Sequence, residues 1–120
     1  MAINQGDLYW VQLESPIGAE PRIPHPYVVL QDTRLNHSQI ATVVACAVTS
    51  NLQRISLPGN VLLDVGEANL PRHSVVEVAK IITVAKTQLG DYIGTLSERR
   101  IHQILAGIRF IQTSFLSTIA

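Results

Sequence analysis

The chain is short of charge, cysteine and aromatic rings. Only 15% of its 120 residues are charged and the formal net charge is zero. A solvated, disordered tail is therefore not expected. Nor is there the overall basic field that announces many nucleic-acid partners. Cys46 is the single cysteine, which excludes an internal disulfide and fits a reducing compartment. The first ten residues carry no basic stretch followed by an apolar one, so they show no signal peptide. The longest apolar run, residues 43–48, is far too short to span a bilayer. Repeats and low-complexity tracts are missing as well. Together these absences predict a soluble, cytoplasmic protein with no membrane partner.

What is present suffices for one core. An apolar fraction of 47% over 120 residues predicts a single domain spanning 1–120. Its cations are lopsided, with seven arginines against two lysines. Arginine offers a planar fork suited to phosphate, but it is also the usual partner in buried ion pairs.

The first two-thirds read as strands. Residues 7–13 (DLYWVQL) mix aromatic and β-branched types. Residues 26–31 follow, with Pro26 tolerated at a strand start. Residues 42–49 (TVVACAVT) are almost wholly apolar, as a strand buried on both faces would be. Residues 60–64 and 74–84 complete the set, and 51–58 and 66–72 read as loops. Tyr9, Trp10 and Tyr27, lying in strands, read as core.

The period then changes. Ser97 is placed as the N-cap of a helix, with Leu96 and Ile101 as a hydrophobic staple. Ile101, Ile104, Leu105, Ile108, Ile111 and Phe115 repeat at helical spacing and predict one buried face. Phe110 falls on the opposite face, among Arg99, Gln103 and Thr113, either as a chance exposure or as a contact surface with a partner. Short strands followed by an amphipathic helix predict a mainly β fold, a small antiparallel barrel with the helix packed on it. An α+β sandwich is the alternative.

Several segments then fall in a familiar order. Gly6-Asp7-Leu8-Tyr9-Trp10-Val11 opens the series. Pro16-Ile17-Gly18-Ala19-Glu20-Pro21 and His25-Pro26-Tyr27-Val28-Val29-Leu30-Gln31 come next, then Asn36. Thr42-Val43-Val44, Val48-Thr49-Ser50 and Ser74-Val75-Val76 close it. In order and spacing the set resembles the MazF/PemK toxins of type II toxin–antitoxin systems, from about residue 6 to the C-terminal helix. The resemblance implies an SH3-like barrel that forms a homodimer. It implies cleavage of single-stranded RNA at short motifs without metal or cofactor, and a cognate acidic antitoxin that covers the RNA groove. Operator DNA would be a partner only in complex with that antitoxin.

RNA cleaves when its 2′-hydroxyl attacks the adjacent phosphorus. An enzyme assists by taking the 2′ proton, protonating the departing 5′ oxygen and stabilising the crowded phosphorane. The resemblance places a threonine at the end of the third strand, and Thr49 stands there. It also places an arginine just before the proline of the second strand, where this chain has His25 instead. An imidazole titrates near ~6.5 when unperturbed and so suits proton transfer near neutrality. Pro26 biases His25 towards extended backbone, a firm mount for a catalytic group. Arg22 shares the loop of residues 14–25, and Arg54 follows Thr49; either would supply charge to the phosphorane. Glu20 matches the acid of the family's loop. With Ser50, Asn51 and Arg54 it is assigned to RNA contact, and His25, Thr49 and Arg22 to catalysis. The loop itself is long for a hairpin, and such loops are often functional.

His37, His73 and His102 have no metal-ligand spacing with one another or with Cys46. They read as surface residues, and Cys46 as buried and inert. Two other functions remain in view. One is a gyrase inhibitor of the related CcdB type, whose closing Trp-Gly-Ile this chain replaces with Leu116-Ser117-Thr118-Ile119-Ala120. The other is a non-catalytic barrel that binds nucleic acid or a partner.

Overall fold

The computed structural model describes residues 2–13 and 23–119, apart from the side chains of 114–119. Among the described residues six strands form one antiparallel sheet: β1 (Asp7–Val11), β2 (His25–Val29), β3 (Thr42–Thr49), β4 (Val61–Leu63), β5 (Ser74–Ala85) and β6 (Leu89–Thr95). A short helix, α1 (Thr33–Asn36), links β2 to β3, and α2 (Glu98–Ile119) follows β6. The strand order is β4-β5-β3-β2-β1-β6.

Burial explains why β3 is almost entirely apolar. Leu8, Val28, Cys46, Val48 and Val76 face a core shared with Leu96 and Ile104 of the helical side. Tyr9, Val29 and Val43 face a second cluster with Ile3. The central strand is thus covered on both faces, and polar positions along it would be unsatisfied. Burial, with a smaller contribution from the charge of Glu77, pushes the Cys46 thiol up to about 12.

The curvature has a local cause. Cys46 pairs with Ile81 but its neighbour Ala47 pairs with Glu77. Val78, Ala79 and Lys80 are therefore extra residues on β5, and a bulge of this kind bends and twists its strand. Among the described residues β4 and β6 do not pair. A 3₁₀ turn, Glu67–Asn69, fills the gap, and Asn69 Nδ2 donates to the Ile93 carbonyl of β6 at 2.8 Å. The expected barrel is thus an unclosed sheet, mainly β, whose edge strands are bridged by a turn rather than by a sixth ladder.

That turn also explains why β6 gives so faint a strand signal. It reads LGDYIGT, and glycines weaken a strand reading. A Cβ at Gly94 would collide with the backbone of Ala68 in the closing turn, so only glycine lets the turn approach.

α2 begins as its sequence predicts. The Arg100 N–H donates to Ser97 Oγ at 3.3 Å; Leu96 is buried and Ile101 packs on the same core. Two details differ from the periodic reading. Leu105 is 38% exposed, whereas Gly107 is buried. A Cβ at Gly107 would strike the Gly59 carbonyl, so the helix crosses the chain before β4 at backbone distance. The closest approach centres on that glycine, which leaves Leu105 at the edge of the contact. Phe115 lies outside the described side chains, and Phe110 is exposed.

Of the strand aromatics, Tyr9 is buried, Tyr27 half-buried and Trp10 42% exposed. Trp10 is the one exposed position of β1, between buried Tyr9 and Val11, and lines a cavity rather than the core, so its assignment to the core is corrected. Asp7, at the start of the same strand, is buried and held by Thr95 Oγ1 (2.7 Å), the Tyr9 hydroxyl (3.2 Å) and the Asn4 N–H (2.9 Å). Burial first, then the Asp7 carboxylate, pushes the Tyr9 phenol up to about 12.

Candidate active site

Antiparallel pairing brings particular strand ends to one edge of the sheet. β2 and β3 pair Tyr27 with Ala47 and Val28 with Cys46. Continued by two residues, that register sets His25 at the start of β2 opposite Thr49 at the end of β3. On the other side of β3, Thr49 pairs with Val75, one residue into β5. The chain just before β5, residues 69–72, therefore arrives at the same edge. His25, Thr49, Ser50, Arg72 and Trp10 all line a cavity of about 560 Å³ there.

Local geometry prepares two of these groups. The Asn51 N–H donates to Thr49 Oγ1 at 3.1 Å. A hydroxyl has one proton to give and two lone pairs to receive, so this contact fixes the oxygen and leaves the proton for a ligand. His25 is exposed at the mouth between Pro24 and Pro26, and its ring makes no hydrogen bond among the described residues. Both proton-transfer nitrogens are thus open to substrate.

Arg72, absent from the sequence-derived candidates, is the additional group. Its carbonyl accepts from the buried Ser74 hydroxyl at 3.1 Å, which ties its backbone to the start of β5. None of the described residues lining the cavity is Asp or Glu. An arginine and an imidazole therefore share it with hydroxyls and apolar walls, an arrangement suited to an anion.

The other candidates are placed differently. Asn51 caps a 3₁₀ turn, its Oδ1 accepting from the Gln53 N–H at 3.1 Å, and does not line the cavity. Arg54 lies in that turn (Leu52–Ser56), in a depression of its own with Leu57 and Phe110. Its Nε is 3.6 Å from the buried Glu77 carboxylate, which Lys80 also meets at 3.5 Å. Glu20 and Arg22 lie outside the described residues. His37, His73 and His102 are exposed, and no group of three His, Cys, Asp or Glu among the described residues is gathered as a metal site requires.

Fold and site together define a small, mainly β protein with a C-terminal helix and an anion-ready cleft at one edge of its sheet. The chain belongs to the family described as PemK-like, MazF-like toxin of type II toxin-antitoxin system, whose profile matches residues 4–111. Endoribonuclease MazF6 of Mycobacterium tuberculosis is 38% identical over 109 residues, covering 91% of this chain and 96% of the relative. Endoribonuclease EndoA of Bacillus subtilis is 29% identical over 104 residues, 87% and 89% of the two chains. Solved structures share the fold. An endoribonuclease in complex with its cognate antitoxin, from Mycobacterial species, has TM-score 0.72 at 23% identity, over 89% of this chain and 91% of that one. MazE-MazF (Form-II) from Deinococcus radiodurans has TM-score 0.70 at 20% identity, over 98% and 97%.

Proposed function

We propose that this chain is a toxin that cuts single-stranded RNA at selected sequences, without a metal, in the cytoplasm. The observation that carries this is that His25 and Thr49, at adjacent ends of β2 and β3, line one cavity with no carboxylate among its described lining residues. Thr49 donates its free hydroxyl proton to a non-bridging oxygen of the scissile phosphate. His25 moves a proton, either from the attacking 2′-hydroxyl or to the departing 5′ oxygen. The 2′-O–P bond forms and the P–O5′ bond breaks, leaving a 2′,3′-cyclic phosphate and a 5′-hydroxyl end. Trp10 at the rim offers a face on which a base can stack. Ser50 lines the same cavity, Asn51 and Arg54 extend the RNA contact away from it, and Glu20 is a further RNA contact.

The endoribonuclease names of the relatives and the antitoxin bound to one structural neighbour support this reading. Its partners follow: a second copy of the chain, a cognate antitoxin that closes the cleft, and operator DNA only in company with that antitoxin. Exposed Phe110 marks a surface for the partner copy or the antitoxin.

The test is a long single-stranded RNA incubated with the protein in excess EDTA, with the new ends mapped and Thr49→Ala run alongside. Discrete cuts with 5′-hydroxyl ends, absent from the variant, are expected. Cutting that the variant retains would remove Thr49 from the site. If nothing is cut, the binding-module function stands in its place, and inhibition of gyrase supercoiling would identify the CcdB-like alternative.

A further inference from the structure

A phosphorane gathers negative charge on its non-bridging oxygens, and catalysis gains most from a fixed charge aimed at them. An imidazole that moves a proton is neutral for part of the cycle, so a second, permanent cation is needed. Guanidinium remains charged at every working pH and presents a fork matching two phosphate oxygens.

Most arginines of the described residues are committed or lie elsewhere. Arg34 pairs with Asp32 at 3.1 Å and Arg54 faces Glu77. Arg100 is bound to Glu67 through two contacts of 2.9 Å. Arg99 and Arg109 are exposed on α2 and do not line the cavity. Arg72 alone among them combines a place in the cavity wall with a guanidinium that has neither a hydrogen bond nor an ion pair. Its mount is firm: Leu70 is buried, Pro71 fixes its own φ, and the Ser74 hydroxyl holds the Arg72 carbonyl. An exposed arginine is usually solvated by chance. This one is anchored by its backbone, stands on the segment that leads into Thr49's partner strand, and meets no carboxylate among the described residues lining the cavity.

We infer that Arg72 is the catalytic cation of the site, donating two N–H groups to the non-bridging oxygens of the phosphorane while His25 handles protons. This rests on the nuclease function proposed above. Arg72 gives up no proton; the 2′ proton and the one delivered to the 5′ oxygen pass through other groups.

The experiment uses an oligonucleotide carrying one ribonucleotide at the cut site mapped for the unaltered protein. Its 2′-deoxy counterpart, which cannot react, reports binding. Arg72→Ala is expected to lower kcat by ~10²–10³-fold, the usual effect of removing one transition-state donor. Affinity for the deoxy oligonucleotide should fall by less than about tenfold, as the loss of an exposed phosphate contact allows. Arg72→Lys should restore part of kcat. Replacing the 5′ leaving oxygen by sulfur makes departure independent of an acid, so it should not rescue Arg72→Ala, whatever it does for His25→Ala. Thermal unfolding of Arg72→Ala should match that of the parent, because the side chain has no partner to lose among the described residues. Cutting at the parental rate by Arg72→Ala would overturn the assignment. So would an affinity loss that accounts for the whole defect, or a kcat loss seen only in Arg22→Ala. If the unaltered protein cuts no RNA in any sequence context, the nuclease function itself fails, and Arg72 loses its role for that separate reason.

Discussion

Two arginines less than thirty residues apart in sequence show the two extremes of how one side chain is used in this fold. Arg100, on α2, is saturated. Nε and Nη2 each donate to Glu67 at 2.9 Å and Nη1 donates to Gln103 at 3.0 Å. Asp64 stands 3.6 Å away, and the side chain is 12% exposed. Glu67 belongs to the turn that fills the gap between β4 and β6, so this cluster fastens the barrel's closing piece to the helix. Arg72 has no such partner, and its cavity holds no acid among the described residues. Polar groups satisfied by the fold stabilise it, whereas polar groups left open in a concave site are ready for something else.

The strongest way to sharpen this contrast is at the open end. His25→Ala should lower kcat by ~10²–10⁴-fold, the usual scale for a lost general acid or base. Its melting temperature should stay within about 2 °C of the parent, since exposed residues without partners rarely matter to stability. Turnover at defined RNA sites beside thermal unfolding measures both quantities. A variant that cuts normally but melts early would make His25 a structural residue and erase the distinction.

At the saturated end the opposite is expected. Arg100→Ala should cost about 2 kcal/mol, because it strips charge-assisted hydrogen bonds from a half-buried acid. Activity per folded molecule should persist at a temperature where the variant remains folded. Urea unfolding with a parallel cleavage assay separates the two. A stable variant without activity would show that the clamp shapes the cleft rather than holding the barrel.

The sequence carried these two ends unequally. β3 was legible to the residue because both its faces are buried, and a continuous apolar run of that length between polar ends is what such a strand requires. The start of α2 was legible because Ser97 and the Leu96–Ile101 pair are local signals. β6 was not, because Gly94 answers to a turn some twenty-five residues earlier and Gly90 to the backbone of Trp10, and no local pattern records either approach. Trp10 misled because strand membership does not reveal which face is covered. In the site, Thr49 stood out as the polar end of an apolar strand. Arg72 required the register of β3 on β5, which is a fact of pairing rather than of spacing. Arg54 sits near Thr49 in sequence, yet the 3₁₀ turn carries it to Glu77.

The smallest effect concerns pH and tests whether the clamp is electrostatic. Hydrogen bonds from Arg100 hold the Glu67 carboxyl below the usual carboxylate range, opposed in part by burial and helped by the Asp64 N–H. A carboxyl whose folded pKa lies below its unfolded one stabilises the fold while it is ionised in both states. The contribution is complete above the unfolded value, about 4.3, and fades as pH falls through the lower folded value. Glu67→Gln keeps the size of the side chain and removes the charge. The parent should therefore exceed Glu67→Gln in urea midpoint at pH 7, and the gap should close progressively below about pH 4. The same pair compared in cleavage at pH 7 should show no difference, since Glu67 lies outside the cavity wall. A gap that persists unchanged to low pH would mean that shape, not charge, fastens the turn to the helix. Arg100 would then resemble Arg72 in charge alone, and the contrast between them would be one of packing.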